Sequence, residues 1–350
     1  MPIYALYALL FADHGLSDGQ ISALFAIWST VAVLTEVPTG AIADRFSRRG
    51  TLAGAGVFQA SSYACWVLFP SFTGFAAGFV LWGVGGSLSS GSLEALLYDE
   101  LLALGEEGQY ARLNSRITAV ELVAQVPTAV IASVLFSLGG YALAGWVSVA
   151  SCLASAALAW RLPETPRSAE ESEEDGYLAT LWSGVRQVRS SRSIRWAVLC
   201  LALVFSLDAF EEYFTLMAHD WSVPTVWVPV ATLGVPLAGA LGAYLAGRMD
   251  PRPWLLVLSA GLLIAAALIA RPHALVIVAA FYGLYHFVLV HVEAELQHRI
   301  GDSSARATVT SVSGLGSELA SYLTFAAWVV HGPLAVGVLV LLVGVVILRR

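Results

Sequence analysis

The chain has 350 residues, of which 58% are apolar and only 12% charged, and its mean hydropathy is +0.75. Because a soluble domain has about 25% charged residues, this composition indicates helices buried in a lipid bilayer. All 18 basic residues are arginine, and the lack of lysine excludes a Walker A nucleotide site and chemistry that needs an amine side chain. The three dispersed cysteines exclude a disulfide or zinc framework, and we expect no cofactor. The net charge of −7 comes partly from one acidic loop run and does not indicate nucleic-acid binding.

Twelve apolar segments, called spans 1 to 12 in chain order, follow one another along the sequence. Eleven of them approach the ~20 residues that a helix needs to cross ~30 Å of hydrocarbon. The predicted spans are 1–12, 21–39, 51–70, 75–98, 117–138, 141–160, 194–216, 226–246, 254–270, 274–296, 309–330 and 333–348. Span 1 would rise only about 18 Å as a helix, so we expect a truncated first helix. A removed signal peptide is the weaker interpretation, because the segment has no basic n-region and no small-residue cleavage site.

The arginines fix the predicted orientation of these spans. With the short first span counted, seventeen of the 18 arginines fall in loops on one side, and only Arg271 falls on the other. Positive charge near a helix end is retained in the cytoplasm. We therefore expect a multi-pass protein of the plasma (inner) membrane with both termini in the cytoplasm.

The longest loop divides the chain into two halves of six spans. The predicted domains are an N-terminal bundle over 1–160, a cytoplasmic linker over 161–193 and a C-terminal bundle over 194–350. Within the linker, apolar residues repeat at helical spacing and predict an amphipathic helix on the inner membrane surface: Leu178, Leu181, Trp182 and Val185. A tether between the halves and a regulatory or partner-docking role both fit this helix.

The loop between spans 2 and 3 carries the most specific motif of the chain. Gly40, Asp44, Arg45, Arg48 and Arg49 stand at the spacings of the loop between helices 2 and 3 in the major facilitator superfamily. The chain resembles that superfamily over its full length. The resemblance implies an all-α membrane protein with a 12-helix (6+6) MFS transporter fold, here with the first helix truncated, and secondary transport by alternating access.

In that family the loop acts as a latch that favours one access state. The resemblance implies that Asp44 meets the end of helix 11 and that the arginines pair with acids on neighbouring helices. Charged residues on the same membrane face are the expected support for this latch: Glu36, Asp99, Arg112 and Arg116. Ser47 replaces the usual second glycine of the motif. The alternative is that the arginines serve membrane topology alone, although a carboxylate such as Asp44 contributes nothing to that.

Two sequence echoes indicate an internal duplication. Glu94 near the end of span 4 is echoed by Glu293 near the end of span 10, and residues 43–46 are echoed by residues 246–249. Both echoes join a span to the sixth span after it. An even number of helices in each repeat gives both halves the same orientation, so we expect substrate at the interface of the halves near the midplane.

Ionisable residues are confined to certain spans. Spans 3, 6, 8, 9 and 12 have none in their interiors, and in the family helices 3, 6, 9 and 12 face lipid. Span 7 has three carboxylates, Asp208, Glu211 and Glu212, within a ~100° arc of one α-helical face. Three such groups cannot all ionise cheaply in a low dielectric, so at least one should take up a proton near neutral pH. The alternative is that some of them pair with arginine or backbone donors and only hold the structure.

Span 10 adds histidines and further carboxylates. His286 and Glu293 share one helix face and could line a polar cavity or relay protons, together with Glu94 as the repeat mate of Glu293. On another face, His291, Glu295 and His298 have a spacing that could hold a divalent metal. Helix-helix hydrogen bonding is the plain alternative for both sets, and we predict no metal site.

The sequence thus predicts a secondary active transporter of a small solute, driven by protons, and not an enzyme. We expect a monomer in the lipid bilayer that binds no nucleic acid. Two alternatives stay open: a transport-inactive sensor on the same fold, and a membrane-embedded enzyme that uses the acids of spans 7 and 10. The substrate, the direction of transport and the coupling ion do not follow from the sequence.

Overall fold

A computed structural model of the chain describes residues 1–45, 47–90, 92–164, 186, 192–300 and 306–349. The described side chains exclude those of 36–38, 40–45, 300, 306–308, 310 and 311. The chain divides into two compact units, Met1–Glu174 and Asp175–Arg350. This division falls within the predicted linker 161–193, whose amphipathic helix lies outside the described residues.

Unit 1 contains the first six spans, all of them helical. Their helices are Pro2–Ala5 (3₁₀), Tyr7–Asp13, Asp18–Arg45, Arg48–Leu68, Phe72–Ser89, Ser92–Ala103 and Tyr110–Ala159, with a 3₁₀ turn at Glu107–Gln109. The Arg48–Leu68 helix packs against both Phe72–Ser89 and Tyr110–Ala159. Span 3 is therefore central to the packing of the unit.

The short first span lies inside unit 1 and organises its core. Tyr7 and Phe11 are buried and contact the ring of Trp66, with centroids 5.4 and 5.3 Å apart. The backbone N–H of Ile3 donates to the buried Ser148 hydroxyl at 2.9 Å. Each aromatic pair of this kind contributes about 0.5–1.5 kcal/mol beyond burial. The first span is thus an integral part of the bundle.

Unit 2 contains the last six spans. Its helices are Arg192–Phe205, Ser206–Tyr213 (3₁₀), Phe214–Asp220, Thr225–Trp227 (3₁₀), Val228–Thr232, Gly234–Ala246, Leu255–Ile269, Pro272–Ala274 (3₁₀), Leu275–Ile300 and Arg306–Leu348. Spans 8 and 10 approach closely, because a Cβ on Gly242 would lie 1.9 Å from the carbonyl oxygen of Gly283. Small residues permit such backbone contact between membrane helices.

Spans 4 and 7, which carry candidate acids, are interrupted, and for span 7 the prediction of a regular α-helix is wrong. Span 4 breaks at Ser90, whose ψ of 123° ends the first helix before a second begins at Ser92. Span 7 changes to a 3₁₀ helix over Ser206–Tyr213. The residues near each break carry the acids of these spans, so the interruptions decide where the acids point.

The same hairpin joins the last two spans of each unit. Gly140 (φ 61°, ψ −156°) links spans 5 and 6, and Gly332 (φ 53°, ψ −141°) links spans 11 and 12. Only glycine adopts this conformation without strain. The recurrence of the hairpin adds a structural echo to the predicted duplication.

The helices meet the requirements of a multi-pass membrane protein. Seven segments of the described chain are long and apolar enough to cross a membrane, and two of these, Glu107–Ala159 and Val312–Leu348, contain the hairpins and so hold two spans each.

Candidate functional site

The 3₁₀ segment of span 7 is the structural basis of the first candidate site. A 3₁₀ run of eight residues is unusual, since most extend for only 3–4 residues. It changes the backbone hydrogen bonding, and side chains of neighbouring spans bind carbonyl oxygens at its start. Tyr285 donates to the carbonyl of Val204 at 3.1 Å, and Thr324 donates to the carbonyl of Ser206 at 2.9 Å. Spans 10 and 11 therefore hold the segment in place.

The 3₁₀ geometry brings two carboxylates together on one side of span 7. With 3.0 residues per turn, Asp208 and Glu211 eclipse each other, whereas Glu212 is turned by about 120°. The phenol oxygen of Tyr282 in span 10 lies 2.8 Å from Oδ1 of Asp208 and 3.1 Å from Oε2 of Glu211. A single phenol thus bridges both acids.

His286 completes this group one helical turn after Tyr282. Its Nε2 lies 3.4 Å from Oδ1 of Asp208, and this buried nitrogen has no hydrogen-bond partner among the described residues. Gly239 of span 8 gives both rings room, because a Cβ there would lie 2.8 Å from Tyr282 and 3.0 Å from His286. We call Asp208, Glu211, Tyr282 and His286 the acid–phenol cluster.

The other predicted cavity residues lie elsewhere. Glu212 is turned by about 120° from Glu211 in the 3₁₀ segment. Glu293 is exposed two helical turns beyond His286, and Glu94 is exposed near the start of the second helix of span 4. Of the six residues predicted for proton coupling or substrate binding, the structure brings together Asp208, Glu211 and His286.

The second candidate site lies at the arginine-rich end of unit 1. Nη1 of Arg48 lies 2.6 Å from Oδ2 of Asp99, which is in the second helix of span 4. Nη1 of Arg49 donates to the carbonyl of Leu162 at 3.2 Å, and its guanidinium lies 5.7 Å from the ring centroid of Trp160. The loop after span 2 is thereby joined to spans 4 and 6.

Glu164, just after span 6, caps the helix that follows the signature loop. Its carboxylate accepts hydrogen bonds from the Ser47 hydroxyl at 2.5 Å and from the backbone N–H groups of Arg48 at 2.6 Å and Arg49 at 3.3 Å. Burial raises the pKa of Glu164, but these hydrogen bonds and the charge of Arg49 outweigh burial and leave the pKa below its usual value. Ser47 is itself the N-cap and accepts from the N–H of Gly50 at 2.8 Å. We call Ser47, Arg48, Arg49, Asp99 and Glu164 the arginine cluster.

The remaining predicted latch residues do not join this cluster in the described part of the chain. The structure describes only the backbone at Glu36, Gly40, Asp44 and Arg45, and this backbone belongs to the Asp18–Arg45 helix. Arg112 and Arg116 are exposed at the start of span 5, and neither forms an ion pair with a described residue. Asp99 is the one predicted support residue that the described side chains place against an arginine of the loop.

The second face of span 10 does not assemble a shared metal site. His291 places Nδ1 2.8 Å from the carbonyl of Phe287 and Nε2 3.0 Å from that of Met249. Glu295 pairs with Arg299 at 2.6 Å, and His298 is exposed. No group of three metal-binding side chains occurs among the residues that the structure describes.

Sequence reasoning missed two residues of these clusters. The available signal for Tyr282 is its place one turn before His286 on the same helix face. Glu164 was read as the start of the linker. Its position between Pro163 and Pro166, directly after an apolar span, was the available signal for a fixed carboxylate.

The sequence of the chain matches a known family. The model of the Major Facilitator Superfamily matches residues 1–325, which is nearly the whole chain. The resemblance carried by the loop after span 2 is therefore confirmed. The sequence matches no curated protein.

Solved structures share the fold at low sequence identity. The nucleoside transporter NupG is 12% identical with a TM-score of 0.72, over 99% of this chain and 92% of that one. A D-xylose-proton symporter is 15% identical with a TM-score of 0.67, over 98% and 91%. A bacterial homologue of the iron transporter ferroportin, in an inward-facing state, is 17% identical with a TM-score of 0.71, over 100% and 92%. These likenesses confirm the predicted all-α transporter fold.

Proposed function

Because the chain belongs to the Major Facilitator Superfamily, whose members are membrane transporters, we propose that it moves a small solute by proton-coupled alternating access. The acid–phenol cluster is the proposed proton-binding site. The observation that carries this proposal is the single phenol of Tyr282 between Asp208 and Glu211.

The hydrogen-bond count at Tyr282 supports proton binding. A phenol has one O–H group, so it can donate fully to only one of two ionised carboxylates. The other carboxylate would then face the phenol oxygen without a hydrogen between them. A proton on one carboxyl group gives every contact a donor, with Glu211 donating to Tyr282 and Tyr282 donating to Asp208, or the reverse.

The charge balance of the cluster supports the same conclusion. No arginine forms an ion pair with Asp208 or Glu211 in the described part of the chain. His286 is the nearest basic group, at 3.4 Å from Asp208. Two carboxylates in a membrane span are costly without a counter-charge, and a bound proton supplies one. Release of that proton would restore the mutual repulsion and favour a different arrangement of spans 7 and 10.

The arginine cluster is the proposed gate. It joins the loop after span 2 to the ends of spans 4 and 6 through opposite charges and a helix cap, as expected for a device that favours one access state. We propose the same role for Gly40, Asp44 and Arg45, with Glu36, Arg112 and Arg116 as further support.

The remaining features of the proposal concern location and assembly. We propose a monomer in the plasma membrane with cytoplasmic termini; the distribution of the arginines supports the orientation of the termini. Glu94, Glu212 and Glu293 are proposed to line the substrate path. The protein is proposed not to be an enzyme and not to bind nucleic acid.

Proton binding can be tested without knowing the solute. Infrared difference spectra of the purified protein in liposomes, recorded between acidic and alkaline pH, should contain a carboxylic-acid band that Glu211→Gln or Asp208→Asn alters. Glu121→Gln is the matched control, since Glu121 is an exposed carboxylate in span 5 outside both clusters. A spectrum unchanged by both cluster variants would refute the proposed proton site.

Transport itself requires a panel of solutes. Proteoliposomes with an internal pH dye and an imposed pH gradient would be exposed in turn to nucleosides and pentoses, the cargo classes named for two of the similar structures, and then to amino acids, short peptides and organic ions. We expect one class to move protons in the wild type and not in Asp208→Asn. A solute that equilibrates without proton movement would show a uniporter, and one that accumulates without proton movement would show another coupling ion. Absence of flux for every class would favour the sensor alternative.

A further inference from the structure

A cavity of about 540 Å³ lies at the arginine-rich end of unit 2, away from the acid–phenol cluster. It is open to the surface and is bordered by the loop after span 8, the last turns of span 10 and the end of span 12. Its wall combines apolar and basic side chains. We propose that this cavity binds an anionic phospholipid of the cytoplasmic leaflet, with the phosphate at the arginines and acyl chain carbons on the apolar wall.

The apolar part of the wall suits an acyl chain. It consists of side chains from three elements: Pro251, Pro253, Val288, Val292, Ile347 and Leu348. Two prolines restrict the loop on either side of Arg252, so the loop holds its shape with little further entropy cost. The cavity is therefore ordered before a ligand enters.

The charged part of the wall suits a phosphate. Arg252 and Arg299 face the cavity with Glu295, so two guanidinium groups against one carboxylate leave one net positive charge. Arg299 is held by Glu295 at 2.6 Å and by the Ser193 hydroxyl at 3.0 Å. Arg252 is exposed and forms no ion pair with a described residue, so its five N–H donors are available to an anion.

The histidines of the cavity have different roles. Both ring nitrogens of His291 lie within hydrogen-bond distance of carbonyl oxygens, one of them on Met249 in the loop after span 8. This contact fastens the loop that carries Arg252 to span 10. His298 lines the cavity and is exposed, so it offers a further donor to an anion.

The position of the cavity favours a lipid over a soluble anion. In the proposed orientation, on which this inference rests, the arginine-rich ends of the helices lie at the level of the headgroups of the anionic cytoplasmic leaflet. A soluble phosphate would use the arginines and leave the apolar wall uncovered. A zwitterionic lipid would bring an ammonium group against the net positive charge.

Native mass spectrometry of the full chain tests the proposal with phosphatidylglycerol, phosphatidylcholine of the same acyl chains, and glycerol phosphate as a soluble competitor. The wild type should retain phosphatidylglycerol over phosphatidylcholine by about fivefold, and Arg252→Gln should remove that preference. Arg271→Gln is the matched control at the opposite end and should leave the preference intact. Equal retention of the two lipids by the wild type, or an unchanged preference in Arg252→Gln, would overturn the proposal. Displacement of the lipid by equimolar glycerol phosphate would show that the site takes a soluble anion and would overturn it too.

Discussion

The arginine cluster of unit 1 and the acid–phenol cluster of unit 2 differ in whether their carboxylates are matched by positive charges or backbone N–H donors. In the arginine cluster each carboxylate meets a cation or backbone N–H groups, as in the 2.6 Å contact between Arg48 and Asp99. In the acid–phenol cluster two carboxylates share one phenol. A balanced cluster stabilises one arrangement, whereas a cluster with excess negative charge responds to protons. We infer that the arginine cluster is suited to hold one conformation and that the acid–phenol cluster is suited to a change of conformation.

The largest effect is expected from Tyr282→Phe, which removes the group that distinguishes the acid–phenol cluster. Without the phenol, the two carboxylates lose their bridge, and a lost hydrogen bond to a charged group costs about 1.5–3 kcal/mol. Proton flux coupled to solute in proteoliposomes should fall by about tenfold or more. Tyr98→Phe, at an exposed tyrosine in unit 1, should leave the flux unchanged. Unaltered coupling in Tyr282→Phe would contradict the role given to the phenol.

Gly239→Ala tests whether the cluster depends on close packing. The new Cβ would lie 2.8 Å from Tyr282 and 3.0 Å from His286, so the rings must move. Overpacking of this kind costs about 1–3 kcal/mol, and we expect a lower Tm together with weaker coupling. Gly261→Ala, where a Cβ meets nothing within 4 Å, is the control and should keep or raise the Tm. Equal Tm values for the two variants would show that span 8 does not position the rings.

Glu164→Gln tests whether the Glu164 carboxylate stabilises the start of the Arg48–Leu68 helix as a cap. Loss of a capping carboxylate costs about 0.5–2 kcal/mol, and the Tm in detergent should fall at neutral pH. Because the pKa of Glu164 is lowered in the folded state, its stabilisation is present above the usual pKa of a glutamate and is lost as the pH falls through the lowered value. The Tm difference between wild type and variant should therefore disappear in acid. A difference that is constant from neutral to acidic pH would argue against the cap.

The smallest effect is expected from Arg49→Gln. Its Nε lies 3.8 Å from Glu164 and its side chain is 36% exposed, whereas Arg48 is 16% exposed and pairs at 2.6 Å. Exposed ion pairs contribute about 0–1 kcal/mol, so Arg49→Gln should lower the Tm less than Arg48→Gln does. A larger fall for Arg49→Gln would show that the contacts with Leu162 and Trp160 matter more than the ion pairs.

The membrane class could be predicted from the sequence because it depends on patterns that the bilayer imposes locally, and the family and the fold could be predicted from the motif in the loop after span 2. A span must be apolar over a fixed length, and loop arginines must follow the positive-inside rule. The pairing of Arg48 with Asp99 was also anticipated, since both residues lie on the same membrane face. The position of His286 near Asp208 was not, because it depends on how spans 7 and 10 pack.

Helix periodicity was misleading in span 7. An α-helical period places Glu212 on the same face as Asp208 and Glu211, whereas the 3₁₀ segment separates it from them. Nothing in the local sequence fixes this change. Tyr285 and Thr324, from spans 10 and 11, bind carbonyls at the start of the segment and so help to stabilise it.

The sequence by itself determined that the chain crosses a membrane many times, which way its loops are expected to face, and to which family it belongs. The first two properties follow from composition and from charges near helix ends, and the family follows from the resemblance of the loop after span 2, which the family model confirms. The tertiary structure alone decided that Tyr282 bridges two acids and that Glu164 caps the helix after the signature loop. Such contacts join residues 71 to 117 positions apart. They depend on helix packing and on local changes of helix type, which no single span encodes.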